Sequence, residues 1–159
     1  MKSTQKQQHP KGRVLALDLG GKRVGVAVSD ELQISISRLN PILRTNWKQL
    51  LRDVTQTVRQ HDAKALVVGF PLSLDGSKRS AAESVDQTAG RFAQSLAIPV
   101  YLQDERLSSV AAAEQLRAAG HNPKEVQEMI DSEAAAVILS DFLDSSEPKT
   151  PLSVSPLGN

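Results

Sequence analysis

Apolar and polar positions follow two rhythms along this chain. Val14-Leu15-Ala16-Leu17 is a short apolar run that ends in a turn at Gly20-Gly21. Val24, Val26 and Val28 then alternate with Gly25, Ala27 and Ser29, a period of two that predicts a strand pairing back as a hairpin. Ile34 and Ile36 open a third strand before Pro41. From there the period changes: Trp47, Leu50, Leu51, Val54 and Val58 recur at helical spacing. The stretch Ala65-Leu66-Val67-Val68-Gly69-Phe70 has strand length and no polar face, as expected of a central strand covered on both sides.

The alternation continues. Ala82, Val85, Ala89, Phe92, Ala93 and Leu96 mark a second amphipathic helix, and Pro99-Val100-Tyr101-Leu102 starts another buried strand. Residues Ser108 to Ala119 form an alanine-rich helical stretch stopped by Gly120. Asn122-Pro123-Lys124-Glu125 supplies an N-cap residue, Pro at N1 and Glu at N3, so a short helix is predicted there. A separate last helix places Ala134, Ala135, Ile138, Leu139 and Phe142 on one face, with Asp131 in its first turn. A three-stranded meander leading into β-α-β units predicts an α/β domain. Its five-stranded mixed sheet combines an antiparallel meander with parallel strands and carries helices on both faces.

Composition narrows this picture. A chain of 159 residues suits one domain with a two-sided core. Residues 1–12 are polar and carry Lys2, Lys6 and Lys11 without an acidic counterpart, and read as a mobile basic arm; 13–144 is the domain. Residues 145–159 hold Pro148, Pro151 and Pro156 among Ser, Thr and Gly, too little apolar surface to offset ordering entropy, and are expected to be disordered. With no cysteine, disulfides and Cys-based zinc sites are excluded. No apolar run approaches the roughly 20 residues needed to span a bilayer, and no apolar segment follows the N-terminus, so a cytoplasmic protein without membrane contact is expected. The net charge of +1 is low for a dedicated non-specific nucleic-acid binder, and 3% aromatics argues against a base-stacking platform. Any grip on nucleic acid must come from local charge and metals.

Candidate chemistry lies where strands end. Asp18 follows the first strand, and Asp104 and Glu105 follow the last. Ligands of open α/β sheets collect beyond the carboxyl ends of strands. If those two strands run parallel, their ends approach, and Asp131 completes a cluster of carboxylates. Such groups repel one another unless a cation lies between them, and an all-oxygen set suits magnesium or manganese. Each residue also has an ordinary role: a turn former at Asp18, solvated pairing with Arg106 for Asp104 and Glu105, and a helix-dipole partner for Asp131. After Gly69-Phe70-Pro71-Leu72 and Asp75-Gly76-Ser77, a helix start with Lys78 and Arg79 could receive a phosphate, although turn chemistry explains Asp75-Gly76 equally well. His9, His61 and His121 sit on polar stretches and read as solvated residues.

Taken together, these motifs resemble a known family. The segment Leu17-Asp18-Leu19-Gly20-Gly21-Lys22-Arg23-Val24-Gly25-Val26-Ala27-Val28-Ser29-Asp30 resembles the opening of the YqgF family, Holliday-junction-resolvase-like proteins also described as pre-16S rRNA nucleases. Val67-Val68-Gly69-Phe70-Pro71-Leu72 with Asp75-Gly76-Ser77 is similar to its central block, and Asp104-Glu105-Arg106-Leu107-Ser108-Ser109 to its third signature. Ile130-Asp131 and the alanines at 134–136 are similar to its C-terminal helix. The resemblance runs from about Val14 to Asp144 with the motifs in order. It implies a ribonuclease H-like fold and divalent-metal phosphodiester hydrolysis, with Asp18, Glu105 and Asp131 as the acidic, metal-binding and catalytic triad. Asp104 is then an alternate ligand or supporting partner. One departure stands out. The family's Lys/Arg-rich stretch before the last aspartate reads here His121-Asn122-Pro123-Lys124-Glu125-Val126-Gln127-Glu128-Met129-Ile130, one lysine against two glutamates.

The expected mechanism is hydrolysis with two Mg²⁺ or Mn²⁺ ions bracketing the scissile phosphate. Lys22, Arg23, Lys78 and Arg79 would hold flanking phosphates, and Arg106 would orient Glu105 as well as contact nucleic acid. The resemblance makes structured RNA in 5′-end maturation of pre-16S rRNA the first expected substrate and branched DNA the second. A junction resolvase needs a homodimer to cut two strands symmetrically, whereas an rRNA processor can work as a monomer. A binding module without catalysis is the rival reading, and the retained triad argues against it. A phosphotransferase is a third, because Asp18-Leu19-Gly20 beside a lysine also resembles the phosphate loop of sugar kinases and actin-like ATPases. Those folds need two such domains, and the chain has no Gly-x-x-x-x-Gly-Lys-Ser/Thr motif.

Overall fold

The structure, a computed structural model, describes residues 10–71, 76–105, 114, 116–145 and 149–153, with the side chains at 71, 76–82, 105 and 127–132 outside that description. Its strands are β1 (Val14–Leu19), β2 (Arg23–Ser29), β3 (Ile36–Leu43), β4 (Ala65–Pro71) and β5 (Val100–Glu105). Its helices are α1 (Trp47–His61), α2 (Gly76–Ser95) and α3 (Pro123–Asp144). The strands form one sheet in the order β3-β2-β1-β4-β5. β1 pairs antiparallel with β2 and parallel with β4, and β4 pairs parallel with β5. β1 and β5 therefore run the same way with β4 between them.

Period-two alternation divides β1 between two cores. Leu15 and Leu17 join Val24, Val26, Val28, Leu66 and Val68 beneath Leu50 and Val54 of α1 and Val85, Ala89 and Phe92 of α2. Val14 and Ala16 join Ala27, Ala65, Val67 and Tyr101 beneath Ala135, Ile138, Leu139 and Phe142 of α3. The small residues Ala16, Ala27 and Ala65 allow α3 to approach that face closely. One buried hydroxyl is satisfied in place: Ser29 Oγ accepts from the Val14 N–H at 3.0 Å and donates to the Asp30 carbonyl at 3.0 Å. In the turn that follows, the Asp30 carboxylate accepts from the N–H groups of Ser35 and Ile34. Those backbone bonds, Ser35 foremost, hold its pKa below the usual value.

Several elements differ from the sequence expectation. Pro41 lies inside β3, which an edge strand permits because one side of its ladder faces no partner. Asn40 and Pro41 fall where the β2–β3 register shifts between Val24 and Val26, so the proline coincides with a bulge. Ile34 precedes the strand and is 78% exposed. Asp18, Asp104 and Glu105 do not follow their strands but lie among the last two residues within them. The two predicted C-terminal helices are one. Asn122 caps it in a reciprocal capping box with Glu125, and no Gly or Pro interrupts the run from Lys124 to Asp144. Asp131 is thus its ninth residue, well past the first turn.

The helix predicted over Ser108 to Ala119 lies mostly outside the described residues, but 116–118 are helical. Its end has the form expected of a glycine stop: Gly120, at φ 96°, donates to the Arg117 carbonyl and His121 to that of Leu116. The segment predicted to be disordered after Asp144 is in part tied down. The Leu152 N–H donates to the Val100 carbonyl at 2.8 Å, and the Lys149 ammonium lies 4.8 Å from the centre of the Phe142 ring. Of the proposed basic arm, residues 1–9 lie outside the described residues, whereas Pro10 and Gly12 accept hydrogen bonds from the Gln33 amide. Among the described residues no helix is long and apolar enough to cross a membrane.

Candidate active site

Asp18 is half-buried near the end of β1, where it pairs with Gly25 of β2. By alternation it shares a face with Val14 and Ala16, the face covered by α3. The same count along β5 puts position 105 with Tyr101 on that face, and position 104 on the other. The sequence left Asp104 and Glu105 as alternatives; the parity of the strand separates them. β1 and β5 are two strand spacings apart, about 10 Å. Leu17 is level with Val68, and Val68 with Leu102, so the two carboxylate positions lie at the same end of the sheet.

The third position comes from α3. Asp131 precedes Ala135, Ile138, Leu139 and Phe142 by four, seven, eight and eleven residues, the spacing of the stripe that packs on the sheet. The direction of the helix follows from its contacts. Phe142 meets Tyr101, near the amino end of β5, with ring centroids 5.2 Å apart. Glu133 meets Arg38, with Nε to Oε1 at 2.5 Å and Nη2 to Oε2 at 3.2 Å. Arg38 is level with Ala27, which is level with Ala16. Position 131 lies about 3 Å further along the helix axis than Glu133, at a rise of 1.5 Å per residue. It is carried toward the strand ends where Asp18 stands. Because a helix dipole acts only within the terminal turn, the ordinary role considered for Asp131 does not apply in mid-helix.

The turn after Asp18 is built tightly. The Gly20 N–H donates to the carbonyls of Asp18 at 3.1 Å and Arg23 at 3.0 Å. A Cβ at Gly20 would lie 2.5 Å from the Arg23 carbonyl oxygen, so only glycine fits there, whereas Gly21 has open space. Arg44 clamps the same turn from β3: its N–H donates to the Lys22 carbonyl at 2.9 Å and its guanidinium to that of Gly20 at 2.8 Å. Lys22 is exposed and Arg23 half-buried at the start of β2. Lys78 and Arg79 fall in the first turn of α2 with their side chains outside the description, and Arg106 lies outside the described residues altogether. Among the residues whose side chains are described, no group of three His, Cys, Asp or Glu could hold a metal, but that set lacks the side chains of Glu105 and Asp131. Of the histidines, His121 lies 3.6 Å from Glu125 at the cap of α3.

One contact and one charge pattern escaped the sequence reading. The Arg38–Glu133 pair spans 95 residues and leaves no local signal. The cations of α1, Lys48, Arg52 and Arg59, do leave one: they recur at helical spacing on the exposed side of a helix whose only carboxylate is Asp53.

The mixed sheet with helices on both faces is the ribonuclease H-like fold. T. thermophilus RuvC in complex with a Holliday junction substrate superposes with a TM-score of 0.56 at 13% identity, over 87% of this chain and 99% of that one. An inhibitor-bound, manganese-soaked human cytomegalovirus terminase nuclease domain gives 0.50 at 11% identity, over 98% and 91%. The family model described as RuvX, Holliday junction resolvase, matches residues 12–145. A Syntrophus aciditrophicus (strain SB) protein named as a candidate pre-16S rRNA nuclease is 37% identical over 140 residues, 87% of this chain and 93% of its own. A Myxococcus xanthus (strain DK1622) protein of the same name is 40% identical over 136 residues, 86% and 90%. The chain belongs to the RuvX (YqgF) family.

Proposed function

We propose that this chain is a cytoplasmic, divalent-metal-dependent nuclease that hydrolyses phosphodiester bonds during 5′-end maturation of pre-16S rRNA, with Asp18, Glu105 and Asp131 as its metal-binding and catalytic residues. What carries the reading is the convergence of three positions: 18 and 105 on the α3 face at the carboxyl end of parallel strands, and 131 on the stripe of α3 that covers that face. The naming of the relatives supplies the substrate.

The proposed set of three carboxylates, oxygen donors all, suits a hard cation, Mg²⁺ or Mn²⁺. When bound, such an ion supplies positive charge to the phosphodiester and lowers the pKa of an attacking water. The chain's own residues set the geometry. The Gly20 turn fixes where β1 ends, the Arg38–Glu133 pair seats the α3 turn next to Asp131, and Lys22 and Arg23 offer cations to phosphates flanking the cleaved bond.

The deciding experiment compares cleavage of structured RNA, single-stranded RNA and a four-way DNA junction by one preparation, in Mg²⁺ and in EDTA. Metal-dependent cleavage of structured RNA above the other two is the expected result. Preference for the junction would favour the resolvase description of the family, and absence of cleavage on all three would sink the nuclease reading.

A further inference from the structure

From the charge and placement of its side chains we infer that the outer side of α1 is a phosphate-binding track, which holds the arm of a structured RNA as it leaves the active site. The inference rests on the nucleic-acid substrate proposed above and assigns a binding surface to residues outside the motifs. Lys48, Arg52, Gln56 and Arg59 are all exposed and fall on one stripe of the helix, at steps of four, four and three residues. Together with Thr55 they line a shallow groove of about 480 Å³ floored by Leu51. The one carboxylate of the helix, Asp53, is half-buried and accepts a hydrogen bond from the Gln49 amide at 2.9 Å. Among the described residues no carboxylate pairs with Lys48, Arg52 or Arg59.

The track leads to the carboxylate end of the sheet. β3 closes at Leu43 opposite Arg23, and Arg44 then clamps the turn after Asp18. Two residues beyond Arg44, Asn46 caps α1, and the Arg91 guanidinium from α2 lies 4.3 Å above the Trp47 ring, adding a further cation at that end. Lys22, Arg44, Lys48, Arg52 and Arg59 thus run in order from the turn beside Asp18 along the back of the domain. From Lys48 to Arg59 the helix rises about 16 Å, several phosphates of one strand at roughly 3.4 Å each. Three Lys/Arg of α1 against its single half-buried carboxylate give this helix a locally positive exterior. On the opposite face Glu125, Asp141 and Asp144 of α3 outnumber its one lysine, Lys124, and disfavour a phosphate backbone there. An RNA arm leaving the site is therefore drawn over the Gly20 turn toward α1.

The test is binding over a salt series, with Asp18→Asn as background and Ca²⁺ replacing Mg²⁺. The probes are an RNA hairpin with a long arm and the same hairpin with that arm trimmed close to the cleaved bond. Neutralising Lys48, Arg52 and Arg59 to Ala preserves helix propensity. It should weaken binding of the long-armed RNA on the order of tenfold and flatten log affinity against log salt by about two to three. The trimmed hairpin should lose much less, and the charge-keeping triple variant Lys48→Arg, Arg52→Lys, Arg59→Lys should bind like the parent. An unchanged salt slope, an equal loss on both probes, or no salt-dependent binding by the parent would each overturn the track. Cleavage is scored separately. A protein that binds through α1 but cleaves nothing would sink the nuclease reading alone, and one that cleaves with an unaltered slope would sink the track alone.

Discussion

Helices α1 and α3 cover opposite faces of one sheet with similar apolar seams, yet they show solvent opposite charges. α1 buries Leu50 and Val54 and carries three Lys/Arg against one carboxylate; α3 buries Ala135, Ile138, Leu139 and Phe142 and carries one lysine against six. Packing dictates only the inward stripe, at 3.6-residue spacing, and leaves the outward residues free to be set by partners. On α3 one of the acidic positions, 131, lies on the inward stripe, where stability alone would place an apolar residue. A carboxylate there is costly unless a cation or hydrogen bonds compensate it. The other helix has an ordinary seam and a cationic exterior. The proposed chemistry on the sheet-facing side of α3 and the inferred electrostatic grip on the outside of α1 are two jobs, and mutations should separate them.

The largest separation is expected in turnover. Asp131→Asn, Asp18→Asn and Glu105→Gln each remove charge from the proposed metal site. Several kcal/mol of transition-state stabilisation correspond to a loss of about a hundred- to a thousandfold in kcat. Asp104→Asn, whose position belongs to the other face, should keep most of the activity. Single-turnover cleavage of structured RNA measures both, and the reverse ranking of Glu105 and Asp104 would show that strand parity misassigns the ligand.

Stability should not distinguish the helices nearly as well. Phe142→Ala beneath α3 should cost about 3–5 kcal/mol and Leu50→Ala beneath α1 about 2–5, by denaturant unfolding, because each empties a fully packed position. A loss below about 1 kcal/mol at either site would mean that its helix is not anchored by the core described.

Metal binding gives the next effect. Mg²⁺ or Mn²⁺ at a hundred times its dissociation constant should stabilise the native protein by about 2.7 kcal/mol. Asp18→Asn should lose most of the corresponding rise in Tm, and an unchanged rise would remove Asp18 from the ligands.

The smallest effects belong to the acidic exterior. Neutralising Asp141 and Asp144 to Asn should change RNA affinity by less than about twofold, because like charges near no phosphate contribute little beyond a Debye length of about 10 Å. Weakened RNA binding in that variant would place a partner surface on α3 and break the contrast between the two helices. Glu133→Gln, which removes a solvent-exposed pair with Arg38, should cost at most about 1 kcal/mol of stability by thermal unfolding.

Much of this molecule was legible in local pattern. The seam at Leu50, Val54 and Val58 reports which side of α1 is buried, and it needs only a handful of consecutive residues, whereas the alternation at Val24, Val26 and Val28 announces a strand whose other face, at Ala27 and Ser29, is buried as well. The unbroken apolar run at 65–68 likewise announced a strand covered on both faces, and all four residues are buried. The carboxylates at 18, 104 and 105 were visible as polar groups at the ends of apolar strands, with 104 and 105 left as alternatives. The continuity of α3 was obscured because a strong capping signal at Asn122 and a separate apolar face starting at Ala134 looked like two helices; the polar stretch between them belongs to the same rod.

By itself, then, the sequence determined the alternation of strands and helices, the candidate carboxylates and the family they belong to, because those properties are written in short-range spacing and residue type. Only the tertiary structure decided that β4 separates β1 from β5, that positions 18 and 105 share the α3 face while 104 does not, and that Arg38 grips Glu133 across 95 residues of chain. It also decided that Pro41 is tolerated on an edge and that Leu152 returns to hydrogen-bond Val100. These depend on strand order, register and crossing direction. Such features are fixed by contacts between distant segments, and no window of neighbouring residues contains both partners.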